Sequence, residues 1–367
     1  MNSANMGRAI EIGLLSKSRK DRAMLVSVSR QELLSHIRHH GFSFIGVVSF
    51  EERSTAWAKY LNENQALPTQ SYLFDYATTA EPEEVDISRR SECRDSFAKN
   101  LSTSDFTLEF IETPNAFAMN RIQADIRRVF DESAGKPLLV DISCMTRVHL
   151  LAMVTAVRKL HSRPSEVYFC YSIPETYGPK TSNRFGWKDV LFLPIGVRRL
   201  FHREGLGRGI ILAGYDGERL SIALTEIEPA SGCLVYSRSP RRPDFVKRAR
   251  EANKVVERRL SNLRMPRTST VPSESDKWTT EVVDSYDFGK LLEAVKPQVS
   301  QAKKEESPVI LFPFGPKPVT LALALAFHDW GVDEAWAVYP IPEKFSVSYS
   351  SGVDDILVFR NVETFPV

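Results

Sequence analysis

The run Asp141-Ile-Ser-Cys-Met-Thr-Arg147 gathers a carboxylate, two hydroxyls and a guanidinium into one short turn. Apolar Pro137-Leu-Leu-Val140 precedes it, and a helix-length stretch from about Val148 to Leu160 follows. A turn of this composition can hold a phosphate. The first N–H groups of a helix lack partners, its dipole favours an anion, and arginine offers two parallel donors. The same residues also have a purely structural use, in which Ser143 or Thr146 caps the helix and Asp141 pairs with Arg147 or Arg53. Both uses stand at this level.

Two further loops carry comparable groups. Ser49-Phe-Glu-Glu-Arg-Ser54 follows the apolar Phe44–Val48, and Ile173-Pro-Glu-Thr-Tyr-Gly178 follows Glu166–Tyr171. Ser49 and Arg53 join Asp141, Ser143, Thr146 and Arg147 as candidate ligand contacts. Glu175 and Tyr177 stand at the rim, where a carboxylate could take ribose hydroxyls and an aromatic ring could stack on a base. Should the site turn a nucleotide over, Glu52, Asp141 or Glu175 is the candidate general base, or the group that stabilises a developing cation. Glu51 and Glu52 also have a plain reading, since acids in a first helical turn are favoured by the dipole alone. For the Pro174 loop the plain reading is a proline-directed turn.

The elements that must position these loops alternate between strand and helix. Strands are expected at Phe44–Phe50, Tyr72–Tyr76, Phe106–Ile111, Pro137–Asp141 and Glu166–Tyr171, with helix-length segments between them. The order then restarts: Gly209–Gly214, Cys233–Tyr236, Thr279–Val283, Pro308–Phe312 and Ala335–Tyr339, with helices near Ser221–Ile227, Val246–Leu260, Phe288–Lys303 and Val319–Trp330. Glu52-Arg53 recurs as Glu218-Arg219 and Ile173-Pro-Glu175 as Ile341-Pro-Glu343, at separations of 166 and 168 residues. The pattern implies an α/β chain of two tandem Rossmann-like domains with mainly parallel sheets, an internal duplication. In such sheets ligands sit outside the carboxyl ends of the strands, so the loops after strands one and four should face each other. Residues 1–40 precede the first unit and hold an accessory helix opened by the capping box Ser29-Arg-Gln-Glu32. Residues 41–200 and 201–367 form the two units, and Met265–Ser275 is a surface loop.

Composition narrows the functional classes. The 367 residues suffice for two domains, each with its own core. With 48 basic and 46 acidic residues the net charge is only +2, so no global field draws the chain to nucleic acid or anionic lipid. The basic stretch 247–259, with Arg238, Arg241 and Arg242 before it, is the single region expected to touch nucleic acid; its plain reading is a solvated helix face. Cys93, Cys144, Cys170 and Cys233 are dispersed, which suggests neither zinc nor a disulfide framework, and the seven histidines lack metal-ligand spacing. No metal is expected. The first residues lack the apolar core of a signal peptide and no apolar run reaches membrane-spanning length, so a cytoplasmic protein without membrane contact is expected. A P-loop, a GxGxxG after a strand and a GxSxG elbow are all missing.

The turn Val140-Asp-Ile-Ser-Cys-Met-Thr-Arg147, taken with the strand-one turn ending in Ser49, resembles the signature loops of CRISPR-associated Rossmann-fold domains. That resemblance implies a cyclic oligonucleotide or related nucleotide held across a two-fold interface, here between two copies in one chain. It also implies a role in prokaryotic anti-phage defence, with a protein partner from the same system. The family commonly has glycine where Cys144 and Met145 stand. The second copy carries Phe312-Pro-Phe-Gly-Pro-Lys-Pro318 at the corresponding loop, without the carboxylate, hydroxyls and arginine, though Gly315 and Lys317 could approach a phosphate. The first copy is therefore the expected primary site. A nucleotide hydrolase and a catalytically inert scaffold subunit are the alternatives.

Overall fold

A computed structural model describes residues 25–76, 84–102, 107–113, 118–157, 164–177, 187–196, 207–239, 241–262, 278–342 and 350–362. The expected loop Met265–Ser275, the residues before Leu25, His161 and His202 lie outside these segments. The described chain is mixed α/β. In order it runs β1 Leu25–Val28, α1 Arg30–His40, β2 Ser43–Val48, a 3-10 turn Glu52–Thr55, α2 Ala56–Glu63, β3 Gln70–Tyr76, α3 Glu84–Leu101, β4 Thr107–Thr113, α4 Met119–Glu132, β5 Pro137–Asp141, α5 Arg147–Val157, β6 Glu166–Ile173, β7 Thr176–Tyr177 and β8 Trp187–Pro194. It continues with β9 Arg208–Ala213, α6 Gly217–Glu226, β10 Ser231–Arg238, α7 Phe245–Ala252, α8 Lys254–Asn262, β11 Trp278–Asp284, α9 Phe288–Lys304, β12 Val309–Pro313, α10 Lys317–Asp329, β13 Ala335–Pro342, β14 Ser350–Ser351 and β15 Asp355–Asn361.

Two large sheets result. The first has the order β1-β15-β6-β5-β2-β3-β4 and the second β11-β10-β9-β12-β13-β8. Within each, five strands are parallel, β2 to β6 in one and β9 to β13 in the other, and both sets are ordered third-second-first-fourth-fifth. The inner strands read as near-continuous apolar runs, as parallel strands covered on both faces must, while the edge strands β4 and β11 carry polar residues and are largely open. Ser29 caps α1 as its sequence indicates, its side chain accepting Glu32 N at 3.1 Å.

The sheets do not divide at residue 200. β8, which precedes that point, pairs antiparallel with β13 of the second sheet, and β15, near the carboxyl terminus, pairs antiparallel with β6 of the first. Each half lends one strand to the other, so each sheet is incomplete without the other half's segment. A single helix over Val246–Leu260 is also replaced by two. Asn253 interrupts it, because its side-chain amide donates to Gly214 O at 2.8 Å and to Ala249 O at 2.7 Å.

Separate cores do not form either. Phe97, Trp57 and Leu33 pack on one face of the first sheet, and Leu220, Ala249 and Leu260 on one face of the second. Between the sheets, α4, α5, α9 and α10 share one apolar cluster. The reason is written in two helices. Residues Val148–Ala156 of α5 and Pro318–Phe327 of α10 are nearly all buried, so neither helix has a polar face to turn outward and each must be covered on every side. They cover each other.

Candidate functional site

The carboxyl ends of β2 and β5 are adjacent, since those strands pair directly. Ser49 begins the turn after β2, where its hydroxyl accepts Glu51 N at 3.3 Å. The 3-10 turn that follows tips Arg53 inward, leaving it 4% exposed. Its Nε donates to Glu51 at 2.8 Å and its Nη1 to Ser172 O, at the end of β6, at 3.4 Å. Asp141, 2% exposed, accepts the N–H of Ser143 at 2.9 Å and the hydroxyl of Ser143 as well. The Ser143 oxygen in turn accepts Ser172 N at 2.7 Å. Thus Arg53, Asp141 and Ser143 meet through the backbone of Ser172. No reading of residue types marks Ser172, because it contributes through groups every residue has.

Across this knot come two cations at matching places, the first residues of α5 and α10. Arg147 donates to Thr320 Oγ1 at 3.1 Å and to Gly315 O in the opposite half, and Lys317 donates to Ser143 O in return. The sequence alignment through Pro137 and Pro308 sets Lys317 against Thr146, one position off. The helix starts put it opposite Arg147, so a cation stands at that place in both halves. Thr146 does not face the knot's carboxylate; its hydroxyl accepts His149 N at 3.2 Å and shares a 2.8 Å hydrogen bond with His149 Nδ1.

Burial controls the charges. It pushes the Asp141 carboxyl up to about 7, against its hydrogen bonds from Ser143 and the positive charges of Arg53 and Lys317. It presses the Lys317 ammonium down to about 7, with Arg53 adding to the effect and Cys144 and Glu51 opposing it. Burial would raise Glu51, but Arg53 and Lys317, with hydrogen bonds from Arg53 and Ser350, hold it below the usual carboxylate range. Half-buried Cys144 is pushed up, chiefly by burial and then by Glu51. All four cysteines are free thiols.

The rim residues go elsewhere. Glu52 accepts Gly352 N at 3.3 Å, and the side chain of Glu175 occupies the space a Cβ on Gly352 would need. Tyr177 turns toward the second half, its ring 5.3 Å from that of Tyr215 and 6.2 Å from that of Phe245. Arg242 donates to the carbonyls of Pro174, at 3.2 Å, and Glu175. The basic stretch 247–259 is partly engaged with its own chain: Arg259 pairs with Glu228 at 2.9 Å, and Arg248 and Arg250 lie over the rings of Tyr215 and Tyr236.

Among the described residues, no group of three or more His, Cys, Asp or Glu side chains is arranged to hold a metal, and no helix is long and apolar enough to cross a membrane. The sequence matches no protein-family model and no curated protein.

Proposed function

We propose that the chain is a nucleotide-binding or nucleotide-sensing module built from two tandem Rossmann-like copies, with its ligand's phosphate taken at the loops after β2 and β5 and at Lys317. One observation carries this reading. Arg53, Arg147 and Lys317 converge at the carboxyl ends of the strands, on both sides of the contact between halves, beside Glu51 and an Asp141 whose carboxyl stands near 7. Cations gathered in a low-dielectric place, one of them pressed toward its neutral form, are what an entering anion relieves. The shared strand order of the two parallel sets supports the duplication. The likeness to CRISPR-associated Rossmann-fold loops extends the proposal to anti-phage defence and puts cyclic oligoadenylates among the ligands to try.

Isothermal titration of the full chain against linear and cyclic nucleotides tests it. At least one should release heat, and Lys317→Met should weaken that binding by about tenfold or more, the loss of one phosphate contact. Silence from the whole panel sinks the reading and leaves the inert scaffold. The near-neutral carboxyl of Asp141 favours a second reading, hydrolysis of the bound nucleotide, which predicts products with the native chain and none with Asp141→Asn.

A further inference from the structure

We infer that the phosphate subsite lies between Arg53 and Lys317 and is occupied in this structure by the chain's own Glu51, with the β7–β14 strand pair latched over it. This rests on the anionic ligand proposed above and adds where the anion sits and what it displaces.

Glu51 is itself an oxyanion in the right place. Its side chain is 11% exposed, it takes the Nε of Arg53 at 2.8 Å, and its charge couples to Lys317. A carboxylate at a guanidinium offers two oxygens and a single charge, and the Lys317 ammonium donates to Ser143 O, not to Glu51. A phosphate offers more oxygens and up to two charges, so it can take both cations where Glu51 pairs with one.

The same carboxylate also holds the cover. Ser350 in β14 donates its hydroxyl to Glu51 Oε2. β14 itself is two residues long and, among the described residues, pairs with the two residues of β7. Beyond that pairing, the described contacts of β14 and the glycine after it with the first half are polar. Thr176 and Ser351 hydroxyls meet at 2.6 Å, and Gly352 N reaches Glu52 at 3.3 Å. Gly352 adopts φ +63 and has no Cβ, which lets the segment lie against Glu175. β7 comes from the first half and β14 from the second, so the latch closes over the loops where the halves meet. When an anion takes Arg53 and Lys317, Glu51 turns away and Ser350 loses its acceptor, so the strap keeps its two-residue ladder and the Thr176–Ser351 and Gly352–Glu52 contacts but loses its tie to the cation pair. Glu51 is thus an internal competitor with the ligand.

The competing account is an ordinary buried ion pair, Glu51 with Arg53, that does nothing but stabilise. The two accounts predict opposite signs. Inorganic pyrophosphate is the probe, titrated calorimetrically into the full chain. Glu51→Gln should bind it about tenfold more tightly than the native chain, and Ser350→Ala a few-fold more tightly, because each removes part of the internal competition. Thr176→Cys with Ser351→Cys, facing residues in the β7–β14 register, should form a disulfide that weakens pyrophosphate binding by about tenfold or more, with reduction restoring it. Should Glu51→Gln fail to fold, Ser350→Ala and the cysteine pair decide the matter. Native-chain binding with variants that bind equally or more weakly, and no effect of oxidation, overturns the inference and leaves the nucleotide reading intact. No binding of pyrophosphate or of any nucleotide by any of these proteins removes both.

Discussion

Asp141 and Lys317 titrate close to neutrality, and folding shifts them in opposite directions. Asp141 keeps its proton up to about 7 instead of the ordinary 3.8, so between those values the folded chain binds more protons than the unfolded one and this group's contribution to stability falls as pH rises. Lys317 gives up its proton near 7 instead of 10.5; above 7 the unfolded chain binds more protons, and stability from this group rises with pH. Across the acidic range His149 acts against Asp141, because burial holds its imidazole down to about 3 instead of 6.5 and stability from that group rises with pH, so the clear arm is the one Lys317 gives above pH 7. Urea midpoints should rise from pH 7 to about 9, with Lys317→Met flattening that rise and Asp141→Asn steepening the rise between pH 4 and 6.5; native midpoints that do not rise above pH 7 contradict this. Arg147 is the companion case. Arg147→Met strips the Gly315 carbonyl of its donor across the halves, and denaturant unfolding should register a loss of about 1–3 kcal/mol.

At the scale of elements, the turns that shape the second half's rim depend on missing side chains. A Cβ on Gly214 would stand 2.1 Å from Phe314 O, which ties the loop after β9 to the loop after β12. Gly214→Ala must force those loops apart, with an expected cost of about 1–3 kcal/mol in chemical unfolding. Gly289, in the first turn of α9, meets nothing nearer than 3.5 Å. Gly289→Ala should raise stability by up to about 1 kcal/mol, since alanine has less freedom to lose in a helix. Equal effects at the two positions would refute the contrast. The break at Asn253 belongs to this scale too. Helical periodicity runs through Val246–Leu260 without a gap, and only the Gly214 carbonyl arriving from another part of the chain draws the amide out of line.

For the whole molecule, exchange of β8 and β15 and the shared helical layer make the halves mutually dependent. Each half alone would present an edge where its borrowed strand belongs, together with a bared apolar helix, α5 or α10. Fragments 1–200 and 201–367 expressed separately should therefore be insoluble or unfolded, and mixing them from denaturant should regenerate a one-to-one complex with the native circular dichroism spectrum. Two independently folding fragments would show that the exchange contributes little.

The alternation of apolar runs with helical periods already determined the elements. β5 spans the same residues in sequence and structure, and the ten parallel strands fall at or within two residues or so of the expected runs, the inner ones because a strand buried on both faces has no other composition available. β1, β8 and β15 went unread, although Ile356-Leu-Val-Phe359 carries the signal, because these antiparallel additions fall outside the repeating strand-helix pattern. Asp141, Ser143 and Arg53 were legible as groups able to do chemistry. What they touch was not. Backbone atoms of Ser172 take Arg53 and Ser143, the Gly315 carbonyl takes Arg147, and the Ser350 hydroxyl takes the Glu51 that pairs with Arg53, partners distant in sequence and chemically unexceptional. Periodicity is a local property and survives in a string of letters, whereas the pairing of a buried charge is settled only when chain segments hundreds of residues apart exclude water from the same place.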